Sequence, residues 1–298
     1  MAANTGVTLS LLRQNNRPSE NSGIIQQVMF PLIIVILLYL GFLFAELIYK
    51  YINRLSINRV ELLPNTYLVQ NKTRTISQNP TKTKNPVINL SENERTGIEF
   101  TYSFYLNVDP SGFRDQLGLM HIFHKGYSSQ FPLLAPGVYM HSNTNTLRVY
   151  MNTFKTWNNY VDIQNIPLSK WVHVAVICKN NALEIFINGN LSKKMSFDGF
   201  VAYQNYQDIV CFSQRRIAIL NSEIPSTDKD GFNVFGSMKG MLSRLTYFNY
   251  ALCYAEIQKE MDRGPSSQMD SSNLNDIPPY LADTWWTSSY LIIVHKYL

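Results

Sequence analysis

Two hydrophobic periodicities divide the chain. From Val28 to Ala45 the sequence VMFPLIIVILLYLGFLFA carries no charge over eighteen residues, and coiled as a helix it measures about 27 Å, close to the hydrocarbon thickness of a bilayer. Pro31 falls in the first turn of such a helix, where a missing amide costs little, and Tyr39, Tyr49 and Tyr51 supply interfacial aromatic residues. A single membrane span over residues 28–49 is expected. A cleaved signal peptide fits less well, because the apolar run begins late and lacks a small-residue cleavage site. From Gly97 the period changes to two. IEFTYSFYLNVD (98–109), LGLMHIFHKG (117–126), GVYMHS (137–142), TLRVYMN (146–152), RRIAIL (215–220) and GMLSRLTYFNYAL (240–252) are each bounded by Gly, Pro, Asn or Asp, the pattern of short strands with frequent turns. WVHVAVICKNNALEIFINGN (171–190) is the clearest. Val172, Val174, Val176 and Cys178 share one face and Trp171, His173, Ala175 and Ile177 the other, so both faces read as buried; Asn188-Gly189 is the commonest signal of a tight hairpin turn.

These strands, with one helix expected over 254–263, predict an all-β, two-sheet antiparallel sandwich over residues 95–264. The remaining segments have other characters. Residues 1–27 are polar. Residues 50–94 are polar and basic, with Pro64, Pro80 and Pro86, and read as an extended linker with one short strand near Tyr67-Leu68-Val69. After Pro265 the tail over 265–298 turns polar and then aromatic; Tyr280, Trp285, Trp286 and the run from Leu291 to Val294 are too apolar to hang in water, so the tail is expected to dock on the sandwich or on a protein partner.

The 298 residues carry a formal net charge of +5 and are 45% hydrophobic, enough apolar residues for a large core. The lysines and arginines are dispersed, which argues against a nucleic-acid groove. Cys178, Cys211 and Cys253 are odd in number and contain no CxxC, against a disulfide framework or structural zinc and in favour of a reducing compartment. The sequons at Asn71, Asn89 and Asn190 carry little weight in so Asn-rich a chain. Lys50, Arg54 and Arg59 follow the span closely whereas Arg13 and Arg17 precede it, a bias that places the C-terminal domain on the cytosolic side.

The order of segments resembles a laminin-G-like jelly roll of the concanavalin A-like lectin and glucanase superfamily. The resemblance rests on FTYSFYLNVD (100–109), IFHKG (122–126), LSKWVHVAVICKNNALEIFINGNL (168–191) and GSMKGMLSRLTYFNYALCYAEIQKEMDRGP (236–265). It implies two packed antiparallel sheets. Glucanases of that superfamily cleave with carboxylates clustered on one strand, but Glu184 is alone in its hairpin strand and no Glu-x-Asp-x-x-Glu arrangement occurs, so the chain is not expected to be an enzyme. Many laminin-G-like relatives bind calcium; Asp228, Asp230 and Asn233 in STDKDGFN are the oxygen ligands available for it, although Ser243 stands where many relatives place an acid. No other cofactor is implied.

Two further groups draw notice. His121 and His124 would suggest a metal, but positions i and i+3 of a strand point to opposite faces and the pair is not expected to chelate. FKTWNNYVD sets Trp157 and Tyr160 around two asparagines, a ring-stacking surface for a sugar or a protein loop. The pairing of a span with such a domain resembles proteins of large DNA viruses of algae and protists. That resemblance implies a minor structural protein, anchored in an internal virion membrane and holding capsid or other structural proteins from its cytosolic side; a glycan-binding ectodomain is the alternative.

Overall fold

The computed structural model describes residues 20–70, 72–81, 86–91, 98–127, 133–156, 158–179, 181–197, 202, 206–219 and 232–270. Two compact units result, dividing after Ile57. The first is α1, Glu20–Ile57, thirty-eight residues long. Its segment Gln27–Tyr51 has a mean hydropathy of 2.8 and none of it is buried, so one helix is long and apolar enough to cross a bilayer. Pro31 lies well inside this helix and not in a first turn as expected, because helical backbone begins eleven residues before it.

The second unit is the sandwich. Its strands are β1 Arg59–Leu68, β2 Arg74–Ile76, β3 Phe100–Val108, β4 Leu119–Tyr127, β5 Leu133–His141, β6 Leu147–Tyr150, β7 Tyr160–Ile163, β8 Trp171–Lys179, β9 Ala182–Ile187, β10 Asn190–Ser196, β11 Ile209–Cys211, β12 Arg216–Ile219, β13 Phe232–Ser237 and β14 Gly240–Phe248, followed by α2, Tyr254–Asp262. One sheet runs β1-β14-β3-β8-β9-β10. The other runs β12-β13-β4-β5-β6-β7, with β11 joining β4 to β2. Described pairings are antiparallel except β13 with β4, which is parallel. The expected two-sheet jelly roll is what the chain forms. Its core lies between the sheets, where Phe104, Leu106, Val172, Val174 and Val176 meet Ile122, Val138, Met140, Leu147 and Val149.

The central hairpin follows its sequence. Asn188 (φ 48°) and Gly189 (φ 75°) take the left-handed conformations that a tight hairpin turn demands. The Asn188 side-chain oxygen accepts the His173 amide at 2.9 Å, while a Cβ on Gly189 would lie 2.2 Å from the Gln258 amide nitrogen. That second contact ties the hairpin to α2, whose Gln258 side chain donates to the Gly189 carbonyl at 3.0 Å. Tyr105 on β3 donates to the Glu260 carbonyl at 2.9 Å, so α2 covers the outward face of the first sheet. Glu260 is buried between Arg59 and Arg263, and Arg263 reaches on to Glu61 at 2.8 Å.

The segment 50–94 holds a longer strand than the short one expected near Tyr67-Leu68-Val69. Ten of its residues form β1, which pairs with β14 from Arg59 opposite Phe248 to Leu68 opposite Met241, and buries Leu62, Leu63 and Tyr67. Register shifts on either side of Leu63 break the period-two pattern just where exposed Pro64 sits; a proline is tolerated in an irregular ladder of this kind.

Candidate functional site

Alternation along β5, β6 and β7 sends one set of side chains into the core and the other outward. Val138, Met140, Leu147, Val149, Val161 and Ile163 are core residues; Tyr139, His141, Arg148, Tyr150, Tyr160 and Asp162 occupy the opposite face. Register then decides which of these meet: Arg148 lies opposite Asp162, Tyr150 opposite Tyr160, and Tyr139 opposite Arg148. Arg148 grips Asp162 with two parallel bonds, Nε to Oδ1 and Nη2 to Oδ2, both 2.7 Å, the planar fork geometry that favours arginine at such a position. Its guanidinium carbon lies 3.9 Å from the centre of the Tyr160 ring, a stacked cation–π contact of about 0.5–2 kcal/mol. His141 Nε2 stands 3.5 Å from Asp162 Oδ1.

The electrostatics follow from this packing. Partial burial disfavours the Asp162 carboxylate, but the Arg148 hydrogen bonds and charge outweigh it and hold the carboxyl below the usual range. Burial pushes the Tyr150 phenol up to about 12 against the opposing pull of Arg148. Behind the charged pair the rings of Tyr139, Tyr150 and Phe232 meet edge to face at 5.6–5.7 Å, and Tyr150 meets Tyr160 at 5.5 Å. The result is an aromatic floor carrying one ion pair at its edge strand. Tyr139 is wholly buried and its hydroxyl has no hydrogen-bond partner among the described residues.

Two histidines adjoin this floor, and here the expectation from strand geometry fails. His121 Nε2 and His124 Nδ1 are 2.6 Å apart. The pairing of β4 with β5 slips between His121 and Phe123 and again between His124 and Gly126. The first slip, the one that lies between the two histidines, shifts the side-chain phase by one, so Ile122 and Phe123 both enter the core and positions i and i+3 come to one face. The Ser213 amide donates to His121 Nδ1 at 3.0 Å. His121 therefore carries its proton on Nε2 and donates it to His124. Burial keeps both neutral, His124 down to about 4 and His121 well below its ordinary value. Among the described residues no group of three metal-ligating side chains includes them.

A second pair has the look of catalytic chemistry without its setting. Ser103 Oγ and His173 Nε2 are 2.9 Å apart, but both side chains are buried and His173 Nδ1 has no partner among the described residues. A nucleophile needs a base oriented by a third group and room for a substrate; His173, pushed down to about 4 by burial, packs against Tyr105 at 5.1 Å instead. Glu184 is engaged with Lys194 across the β9–β10 pair at 2.7 Å.

Of the residues singled out in the sequence, Tyr160 falls in the site. Asn233 lies on β13 and donates weakly to the Leu117 carbonyl at 3.4 Å. Trp157, Asp228, Asp230, Tyr280, Trp285 and Trp286 lie outside the described residues. Sequence reasoning passed over Arg148, Asp162 and His141. Their signal was present: Arg148 between Leu147 and Val149, and Asp162 between Val161 and Ile163, place opposite charges at outward positions of neighbouring strands.

A two-sheet lectin-like jelly roll with an aromatic and charged outer face is the class of protein that this architecture defines. The chain belongs to the concanavalin A-like lectin/glucanases superfamily, whose laminin-G model matches residues 82–258. Among solved structures it is similar to the receptor-binding domain of botulinum neurotoxin D, at 10% identity and a TM-score of 0.44 over 69% of this chain and 44% of that one. It is also similar to the binding domain of Paraclostridial Mosquitocidal Protein 1, at 16% identity and a TM-score of 0.41 over 69% of this chain and 47% of that one. A third likeness is to the binding domain of botulinum neurotoxin DC in complex with SialylT, at 14% identity and a TM-score of 0.38 over 55% and 35%. The chain thus spans less than half the length of these structures. No curated protein matches it.

Proposed function

We propose that the chain is a non-enzymatic, single-pass membrane protein whose sandwich binds a protein partner through the outer face of β5, β6 and β7. The observation that carries this reading is the Arg148–Asp162 fork stacked on Tyr160: aromatic and arginine side chains at one spot are the residues that dominate protein interfaces, and they are mounted on rigid strands. The apolar helix Gln27–Tyr51 supplies the anchor. Non-enzymatic action is supported by the engagement of Glu184 with Lys194 and the enclosure of the Ser103–His173 pair. The aromatic tail, with Tyr280, Trp285 and Trp286, is a second contact in this reading, and 28–49, 95–264 and 265–298 act as anchor, module and dock.

In its finer form the partner is a capsid or other structural protein and the chain a minor component joining an internal virion membrane to its shell, with the sandwich on the cytosolic side. The viral step leans on the resemblance of the span-plus-sandwich arrangement; the unpaired Cys178, Cys211 and Cys253 fit a reducing side. A glycan ligand is the second reading, favoured by Tyr160, whose ring has the stacking chemistry sugars use.

A photo-crosslinking residue at position 160, activated in the native assembly, separates these. Adducts with one protein species support the proposed function. Adducts with lipid alone, or with no macromolecule, remove it, and turnover of a polysaccharide by the purified chain contradicts the non-enzymatic assignment. Asn190, exposed at the end of the hairpin, reports topology: its glycosylation on expression in a eukaryotic cell places the sandwich in the lumen and favours the glycan reading.

A further inference from the structure

The chain that leaves α2 stays on the sandwich for several residues more. Gly264, at a φ of 67°, ends the helix in the left-handed conformation that glycine favours, and the segment after it runs beside β1. β1 is the terminal strand of its sheet, with β14 on one side; the segment takes the other. Met269 bridges Thr66 in the parallel sense: the Thr66 amide donates to the Gln268 carbonyl at 2.8 Å, and the Asp270 amide donates to the Thr66 carbonyl at 2.9 Å. Thr66 Oγ1, buried 2.9 Å from Ser243 Oγ, donates to the Ser266 carbonyl at 2.7 Å, while the Ser266 amide donates to Ser243 Oγ at 2.8 Å. Arg263 pairs with Glu61 at one end of this strap and Asp270 with Arg74 at the other.

The direction of the strap sets how it takes load. The apolar helix ends at Ile57 and β1 starts at Arg59, so a pull from the anchor reaches the N-terminal end of β1. A pull from the tail reaches Asp270, at the C-terminal end of a segment parallel to β1. The two act in opposite senses along neighbouring strands, across their hydrogen bonds, which share the load and break together. β14 is antiparallel to β1, with Phe248 opposite Arg59, so without the strap the same pull opens β1 from β14 one rung at a time. We propose that the 264–270 strap is a shear clamp that lets the sandwich bear tension between the membrane anchor and the C-terminal tail. The role rests on the anchor and dock of the proposed function.

The test uses the full chain in dodecyl maltoside micelles, held in optical tweezers by handles on azide-bearing residues at position 56 and at either 298 or 254, the last exposed at the start of α2. Loading between 56 and 298 shears the strap, and loading between 56 and 254 opens β1 from β14. The first is expected to need at least twice the unfolding force of the second. Asp270→Pro, which removes one amide donor and the pair with Arg74, is expected to bring the 56–298 force down to the 56–254 value and to leave the latter unchanged. Equal forces in the two geometries of the unaltered chain overturn the proposal, and that comparison stands whether or not Asp270→Pro folds. An undiminished 56–298 force in an Asp270→Pro chain that keeps its 56–254 force overturns it as well. Because the tweezers supply the tension, a tail that docks nowhere counts against the proposed function and leaves this result as it is.

Discussion

The outward faces of the two sheets solve the same problem in different ways. Each carries polar and ionisable side chains in strands whose other side is core. On the first sheet, α2 closes over them: Tyr105 bonds to the helix backbone, and Glu260 is enclosed between arginines from β1 and from the helix end. On the second sheet the charges pair with one another across β6 and β7, and Asp162 and His141 keep a quarter and a fifth of their side-chain surface in solvent. A polar residue facing out of a sheet is therefore structural where the chain supplies its cover, and suited to recognition where its partners lie at the solvent edge.

The comparison predicts that the first face governs stability and the second governs binding. The largest effect is expected from Glu260→Ala, which leaves Arg59 and Arg263 without their shared acid and should lower unfolding free energy by about 3 kcal/mol; denaturant melts of the sandwich measure it, and an unchanged midpoint would break the distinction. Next is acid sensitivity. His173 has a folded value near 4 against an ordinary 6.5, so folding is favoured by its neutrality above the unfolded value, and that contribution is lost as pH falls from 6.5 towards 4. His173→Gln is expected to flatten the stability–pH curve in that window by about 2 kcal/mol. Gly189→Ala, forced into a positive φ and against Gln258, should cost about 1–2 kcal/mol and loosen α2, seen as faster amide exchange in 254–262. The smallest change in stability is expected at the other face: Tyr160→Ala should shift unfolding by about 1 kcal/mol, within the roughly 0.5–2 kcal/mol of its cation–π contact, yet reduce partner capture at least tenfold. If Tyr160→Ala unfolds the sandwich while capture persists, the two faces have been assigned the wrong way round.

How far the sequence reveals this division depends on how regular the ladder is. The hairpin over 171–190 was legible down to its turn because period two and Asn-Gly agree. β1 was legible only at its end, near Tyr67 and Leu68, because the irregular pairing around Leu63 and Pro64 scrambles its alternation and its partner β14 lies far along the chain. The His121–His124 contact escapes the strand pattern for the same reason: the bulge between His121 and Phe123 changes which residues share a side. For the site, Tyr160 was visible as an aromatic residue near a turn. Its stacking on Arg148 required the register of β6 against β7, which no local pattern encodes.

The pairing of β1 with β14 also has a consequence for biosynthesis. The strand that leaves the ribosome directly after the apolar helix finds its hydrogen-bonding neighbour only when the last strand of the sandwich emerges. At ordinary translation speeds that delay is on the order of ten seconds. Throughout it, Leu62, Leu63 and Tyr67 have no finished core to enter, so a nascent chain arrested before Gly240 should be the form that chaperones hold and proteases cut.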